Sequence, residues 1–345
     1  MFAASLALLL CLQSSVAAAM SASDAAALTS ELDAWKVSAA GLMAKELGLL
    51  PSFDSSAAEL VRFYNTKLDV ERLGRLHPNA QFSLDTPFSL LTTAEFTAFL
   101  GRSFQGPRPL LSLSPSALTA PNMQDMASTQ DWTTSACVNP IQNQGQCGSC
   151  WAFAVLSAVE TTMCLKSPNK TLVKLSEQQL TSCDSATGNA GCQGGYPTKA
   201  IDYVAATGVC LLRDYPYVSG TSKESGTCAT SCTKVQTQVK KAVSVAPGDA
   251  ALIEALQTRT VVAGVAAGND EWKQYSGGVL NSCSTAELDH AVVVVGYTDE
   301  SFKIRNSWGT AWGDQGFMYL RRGGDVDANG TCGVTMEASY PSLEQ

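Results

Sequence analysis

Only two histidines, His77 and His290, occur in 345 residues, which excludes a histidine-rich metal centre. Charge is scarce as well: Asp, Glu, Lys and Arg make up 16% of the chain, with 31 acidic against 23 basic side chains. The resulting net charge of −8 excludes the basic surface with which a nucleic-acid-binding protein holds phosphates. No stretch reaches the roughly 18 consecutive apolar residues of a membrane-spanning helix. Cysteine is missing between Cys11 and Cys137, although there are twelve in all. Apolar residues, by contrast, are plentiful. At 45% of the chain they suffice for a sizeable core, so a chain disordered throughout is excluded.

Twelve cysteines suit a reducing compartment only if they bind metal, so the N-terminus becomes informative. Residues 2–12 form an apolar run, and Ala17 and Ala19 then supply an A-x-A pattern with cleavage expected before Met20. The run lacks the usual basic residue at its start and is too short to span a bilayer. Residues 1–19 are therefore expected to be a signal peptide, sending the chain through the secretory pathway to the exterior or to a lysosome or vacuole. Asn169-Lys170-Thr171 and Asn329-Gly330-Thr331 are then candidate glycan acceptors.

The abrupt change in cysteine usage divides the chain. Residues 20–100 carry apolar side chains at helical spacing, as in Leu28, Leu32 and Trp35 and again in Leu60 and Phe63. Residues 101–126, with Pro107, Pro109, Pro115 and Pro121, read as an extended connector within reach of proteases. From Cys150 to about Leu165 there is neither Pro nor Gly, which predicts a helix. Val173 to Cys183 predicts a second one, with Ser176 as N-cap. Beyond Thr237, the runs VVAGV, AVVVVGYT, FKIRNSW and GFMYLRR predict strands. The expected class is α+β: a helical half and a β-rich half with a cleft between them.

The segment Gln142-Asn143-Gln144-Gly145-Gln146-Cys147-Gly148-Ser149-Cys150-Trp151 carries the most chemistry. Read alone, its Cys-x-x-Cys pattern fits a redox pair or half a zinc site. A third reading places Cys150 at a helix start, where the dipole favours a thiolate. His290 lies 140 residues on, and Asn306-Ser307-Trp308-Gly309 begins 156 residues on. With LSEQQLTSC, GCQGGYP, DYPY, DHAVVVVGY and NSWGTAWGDQGFMYLRRG, the chain from about residue 128 to 345 resembles the papain-like cysteine proteases.

That resemblance implies a papain-like fold, a helical left domain and a β-barrel-like right domain flanking the active-site cleft. It implies Cys150 as nucleophile, His290 as base and general acid, Asn306 as the residue orienting the imidazole, and Gln144 as an oxyanion donor. Trp308 would shield the His290–Asn306 bond. Gly194 and Gly195 would let a substrate backbone approach, while Tyr196, Pro197, Gly264 and Ala291 would line the S2 pocket. Asp289, beside His290, belongs to the same substrate-binding set. Glu337 falls at the far end of S2, where a carboxylate would accept Arg at P2 besides hydrophobic residues. A carboxydipeptidase of this family needs a His pair, and the C-terminal region has only His290, so cathepsin L-like endopeptidase action is expected. All four catalytic positions are intact, which argues against a non-catalytic relative. No cofactor or metal is implied. The implied partners are protein and peptide substrates, the chain's own propeptide and cystatin-type inhibitors, with the enzyme a monomer.

By the same pattern the expected disulfides are Cys147–Cys192, Cys183–Cys228, Cys210–Cys232 and Cys283–Cys332, with an exchange of Cys228 and Cys232 left open. Cys137–Cys164 follows by elimination, leaving Cys150 as a thiol. Residues 20–126 resemble the family's helical inhibitory propeptide and 127–345 its peptidase domain. The propeptide match is imperfect: Asp69 and His77 stand where Asn is usual, Thr66 replaces an aromatic, and Leu90 replaces an Asp. These departures bring the usual acid trigger into question. Processing is expected near residues 121–130.

Overall fold

The computed structural model describes residues 21–101, 127–229, 231–323 and 329–344. The expected signal peptide and nearly all of the proline-rich connector lie outside them. Among the described residues, no helix is long and apolar enough to cross a membrane.

Four helices and a short strand make up the N-terminal unit: α1 (Ala22–Val37), α2 (Ala39–Glu46), α3 (Ser56–Leu76), β1 (Ala80–Phe82) and α4 (Thr93–Leu100). Serines or threonine begin each helix. Ser21, Ser38, Ser55 and Thr92 each accept a backbone N–H, and Thr92 forms a full capping box with Glu95. Leu28, Leu32, Trp35, Phe63, Phe88 and Phe96 join its apolar stripes into a core continuous with that of the C-terminal β-rich part. Trp35 donates its indole N–H to the Thr86 carbonyl at 3.1 Å, which satisfies the polar edge of a buried ring.

Helix α5 (Cys150–Lys166) runs through the centre of the second unit, and all its residues except Met163, Leu165 and Lys166 are buried. α6 (Glu177–Cys183) and α7 (Pro197–Thr207) flank it. Ser176 caps α6, accepting from the Gln179 N–H at 3.1 Å. The helix therefore starts at Glu177, because Ser176 is extended and Leu175 bridges to Leu211. β2 (Gln130–Asp131) precedes α5, and after α7 come β3 (Val209–Cys210), β4 (Lys234–Val235), β5 (Lys241–Val245), α8 (Asp249–Leu256), β6 (Val261–Val265), α9 (Asp270–Gln274), β7 (Tyr275–Leu280), β8 (His290–Tyr297), β9 (Ser301–Arg305), β10 (Phe317–Arg321) and β11 (Ala338–Ser342).

The main ladder runs β1-β7-β10-β9-β8-β6-β11-β5, with β2 attached to β8. It is an open path: β1 and β5 sit at opposite edges, and no pairing among the described residues closes it into a barrel. Central β8 is buried along its whole length, and α5 packs against it. That enclosure on both faces explains a run of four valines instead of an alternating pattern. At the other edge, β1 of the N-terminal unit extends the sheet by pairing Ala80 with Gly278 and Gln81 with Gly277. Disulfides join Cys137 to Cys164, Cys147 to Cys192, Cys183 to Cys228, Cys210 to Cys232 and Cys283 to Cys332.

Candidate active site

Cys150 occupies the first position of α5 and takes no part in a disulfide. The Ala291 N–H at the start of β8 donates to its Sγ at 3.3 Å, so the strand that carries His290 is anchored on the sulfur. His290 bonds Asn306 Oδ1 through Nε2 at 2.8 Å. The Ser307 N–H also donates to that oxygen, at 2.8 Å, which identifies it as the acceptor. Nε2 must therefore carry the proton, leaving Nδ1 as the atom that exchanges one. Nδ1 has no hydrogen-bond partner among the described residues.

Trp308 stacks on His290 with ring centroids 4.7 Å apart, and Trp272 meets the imidazole edge-on at 6.2 Å. Burial pushes the imidazole down to about 4, with the Asn306 bond opposing. In so dry a setting a cationic His290 needs an anion at hand, and a Cys150 thiolate is the one that this arrangement offers.

Gln144 is buried between the two halves. Its Oε1 accepts from Ser307 Oγ at 2.7 Å, and its Nε2 donates to the Cys147 carbonyl at 3.0 Å. The Tyr217 hydroxyl supports it from behind, donating to the Gln144 carbonyl at 2.7 Å and bonding Ser149 Oγ. The sequence motifs containing Ser307 and Tyr217 pointed to the family but not to these roles.

Gly194 has φ +108°, a conformation open to glycine. A Cβ on Gly195 would sit 2.7 Å from the Trp151 ring. Tyr196 and Pro197 open α7 beside them. Gly264 pairs with Ala291 across β6 and β8, and its N–H donates to the Glu337 carbonyl at 2.8 Å. Burial raises the Tyr196 phenol, and the Glu337 charge adds to that shift. Asp289 instead accepts from the N–H groups of Ala267 and Gly268 at 2.7 and 2.8 Å. Burial pushes its carboxyl up to about 6 despite those bonds. It braces the turn after β6.

The N-terminal unit covers one rim of this site. Phe88 and Phe96 pack edge-on against Trp308 at 5.4 and 5.6 Å. Met43 lies so close to Gly309 that a Cβ there would be 2.6 Å from its Cε, and the Leu47 carbonyl accepts from Gln146. Asn169 and Asn329, the two sequon residues, are both exposed.

A family model described as papain family cysteine protease matches residues 126–342. A senescence-specific cysteine protease, SAG12, of Arabidopsis thaliana is 35% identical over 298 residues, covering 82% of this chain and 83% of that protein. Cathepsin L 2 of Paramecium tetraurelia is 40% identical over 225 residues, covering 64% and 67%. Among solved structures, the proform of Amb a 11, a cysteine protease and ragweed pollen allergen, superposes with a TM-score of 0.75 at 26% identity, covering 92% of this chain and 95% of its own. Digestive procathepsin L 3 of the Tenebrio molitor larval midgut gives 0.67 at 26%, covering 88% and 99%. With the family model spanning residues 126–342 and an N-terminal unit arranged as in these proforms, the chain belongs to the papain family of cysteine proteases.

Proposed function

We propose that the chain is the zymogen of a cathepsin L-like endopeptidase in which Cys150, His290, Asn306 and Gln144 perform the reaction. The observation that carries this reading is the set of contacts from Cys150 Sγ to the Ala291 N–H and from His290 Nε2 to Asn306 Oδ1. Cys150 attacks the scissile carbonyl as a thiolate, His290 protonates the leaving amine, and water then hydrolyses the thioester with His290 as base. The oxyanion is met by the Gln144 amide once it turns from the Cys147 carbonyl. Glu337 closes S2 and pairs with Arg at P2, while the apolar wall takes Phe or Leu.

Residues 1–19 act as signal peptide, 20–126 as inhibitory propeptide and 127–345 as peptidase, with processing near residues 121–130. Five disulfides fit an oxidising compartment, hence the secretory pathway and an extracellular, lysosomal or vacuolar site of action. The enzyme acts as a monomer open to cystatin-type inhibitors, with glycans at Asn169 and Asn329. The test is a Cys150→Ser chain, expected to accumulate unprocessed and to leave fluorogenic peptides intact after processing by another protease. A processed Cys150→Ser protein with undiminished hydrolysis would sink the proposal.

A further inference from the structure

Behind the cleft lies a buried set of charges that touches no reacting atom. Arg305 ends β9, immediately before Asn306, and is 3% exposed. Its Nη1 donates to Ser157 Oγ on α5 at 3.1 Å. Its Nη2 donates to the carbonyls of Pro140 at 2.6 Å and Asn139 at 3.3 Å, and approaches Gln142 Oε1 at 3.5 Å. Two carboxylates hold the other side of the same loop: Glu160 of α5 accepts from Asn139 Nδ2, and Glu177 accepts from Gln142 Nε2 at 2.7 Å. Lys174 bonds both side chains, which links them into one network, and burial pushes the Glu160 carboxyl up to about 7 against the pull of Lys174. Burial alone lowers the Arg305 guanidinium, and Glu160 and Glu177 oppose that shift.

The loop so gripped leads directly to Gln144. From Gln142 onward it runs as a short ladder along the segment that follows Arg305. The Gln142 carbonyl accepts from the Gly309 N–H, Asn143 bridges to Trp308, and the Gln144 N–H donates to the Ser307 carbonyl, both hydrogen bonds at 2.9 Å. One guanidinium thus meets α5, which carries Cys150, the loop that carries Gln144, and the strand end that carries Asn306.

We propose that Arg305 is a positioning residue for oxyanion stabilisation, fixing the Asn139–Gln142 loop so that Gln144 is held at the carbonyl attacked by Cys150. This rests on the reading of Gln144 as the oxyanion donor given above. A planar fork reaching a hydroxyl and two carbonyls has no equivalent in lysine, whose ammonium is a point charge. Displacing a catalytic group by about 1 Å can cost on the order of 10² in rate.

The test compares Arg305→Lys, Arg305→Gln, Gln144→Ala and the Arg305→Gln/Gln144→Ala pair in the processed enzyme. The two readouts are kcat/KM on a peptide and the rate of Cys150 alkylation by iodoacetamide, which needs no oxyanion hole. Expected are losses in kcat/KM of about tenfold for Arg305→Lys and about 10² for Arg305→Gln, and of 10²–10³ for Gln144→Ala. Alkylation should stay within about twofold throughout, and the double variant within about threefold of Gln144→Ala, the loss having been spent already. Losses that multiply in the double variant, or alkylation that falls in parallel with kcat/KM, would overturn the proposal. If Gln144→Ala itself were harmless, the reading of Gln144 would fail first and the inference with it. Should Arg305→Gln not fold, Arg305→Lys combined with Gln144→Ala is judged by the same criteria.

Discussion

Replacing Asn306 with alanine removes the acceptor that His290 Nε2 meets at 2.8 Å in a fully buried setting. A hydrogen bond to a group that becomes charged contributes about 1.5–3 kcal/mol, and each 1.36 kcal/mol is tenfold in rate, so kcat/KM should fall by about 10- to 160-fold. The Ser307 N–H, which shares the same oxygen, loses its partner too, so the upper part of that range is expected. Direction on the pH axis follows from the same bond. It raises the His290 pKa against the lowering effect of burial, so without it the imidazolium gives up its proton at lower pH. The alkaline limb of the kcat/KM profile should therefore move to lower pH. A loss under about threefold, or an alkaline limb that stays in place, would refute the reasoning.

Glu337→Ala should reduce cleavage of peptides with Arg at P2 by about tenfold or more while sparing those with Leu at P2, a single charge-assisted contact being worth about 1.5–3 kcal/mol; a P2 scan showing equal losses contradicts this. Asp270 accepts from Thr93 at 2.6 Å and pairs with Arg72 of the N-terminal unit at 3.2 Å, besides Lys273. Burial opposes ionisation, yet Lys273, Thr93 and Arg72 hold its carboxyl below its ordinary value. A depressed pKa stabilises above the ordinary value, near 4, and that support is lost as pH falls through the depressed one. Hydrogen exchange on the full-length Cys150→Ser chain should thus show the N-terminal unit protected at pH 5 and released below about pH 4; release already at pH 6 contradicts it. Gly278 has φ +70°, and a Cβ there would meet the Asn79 carbonyl at 2.3 Å, so Gly278→Ala should unpair β1 and speed processing of the zymogen. Removing the Cys137–Cys164 bridge, which spans 27 residues, should cost about 3 kcal/mol and lower Tm by roughly 6–12 °C; a change under about 2 °C contradicts it.

Local signals carried the helix of Cys150 and the valine-rich histidine strand, because an unbroken run without Pro or Gly and a run of β-branched residues each favour one structure. What needed distant partners stayed hidden. The three residues of β1 form a strand only because Gly277 and Gly278 offer an edge, and α8 lies among strand-like runs that masked it. The expected barrel-like half is an open ladder, a matter of which strands pair at the edges. Within the site, the four catalytic candidates were legible through the resemblance that the motifs around them carry. The supports given by Tyr217 and Ser307 to Gln144, and by Arg305 to the loop before it, cross 73, 163 and 165 residues. Such contacts leave no periodic trace in a sequence.

The most direct measurement treats the processed protein with a thiol-directed epoxide and follows intact mass, peptide map and hydrolysis together. One adduct per molecule at Cys150, with activity lost in proportion to labelling, is the expected result. Activity that survives complete modification of Cys150 would contradict its assignment as nucleophile.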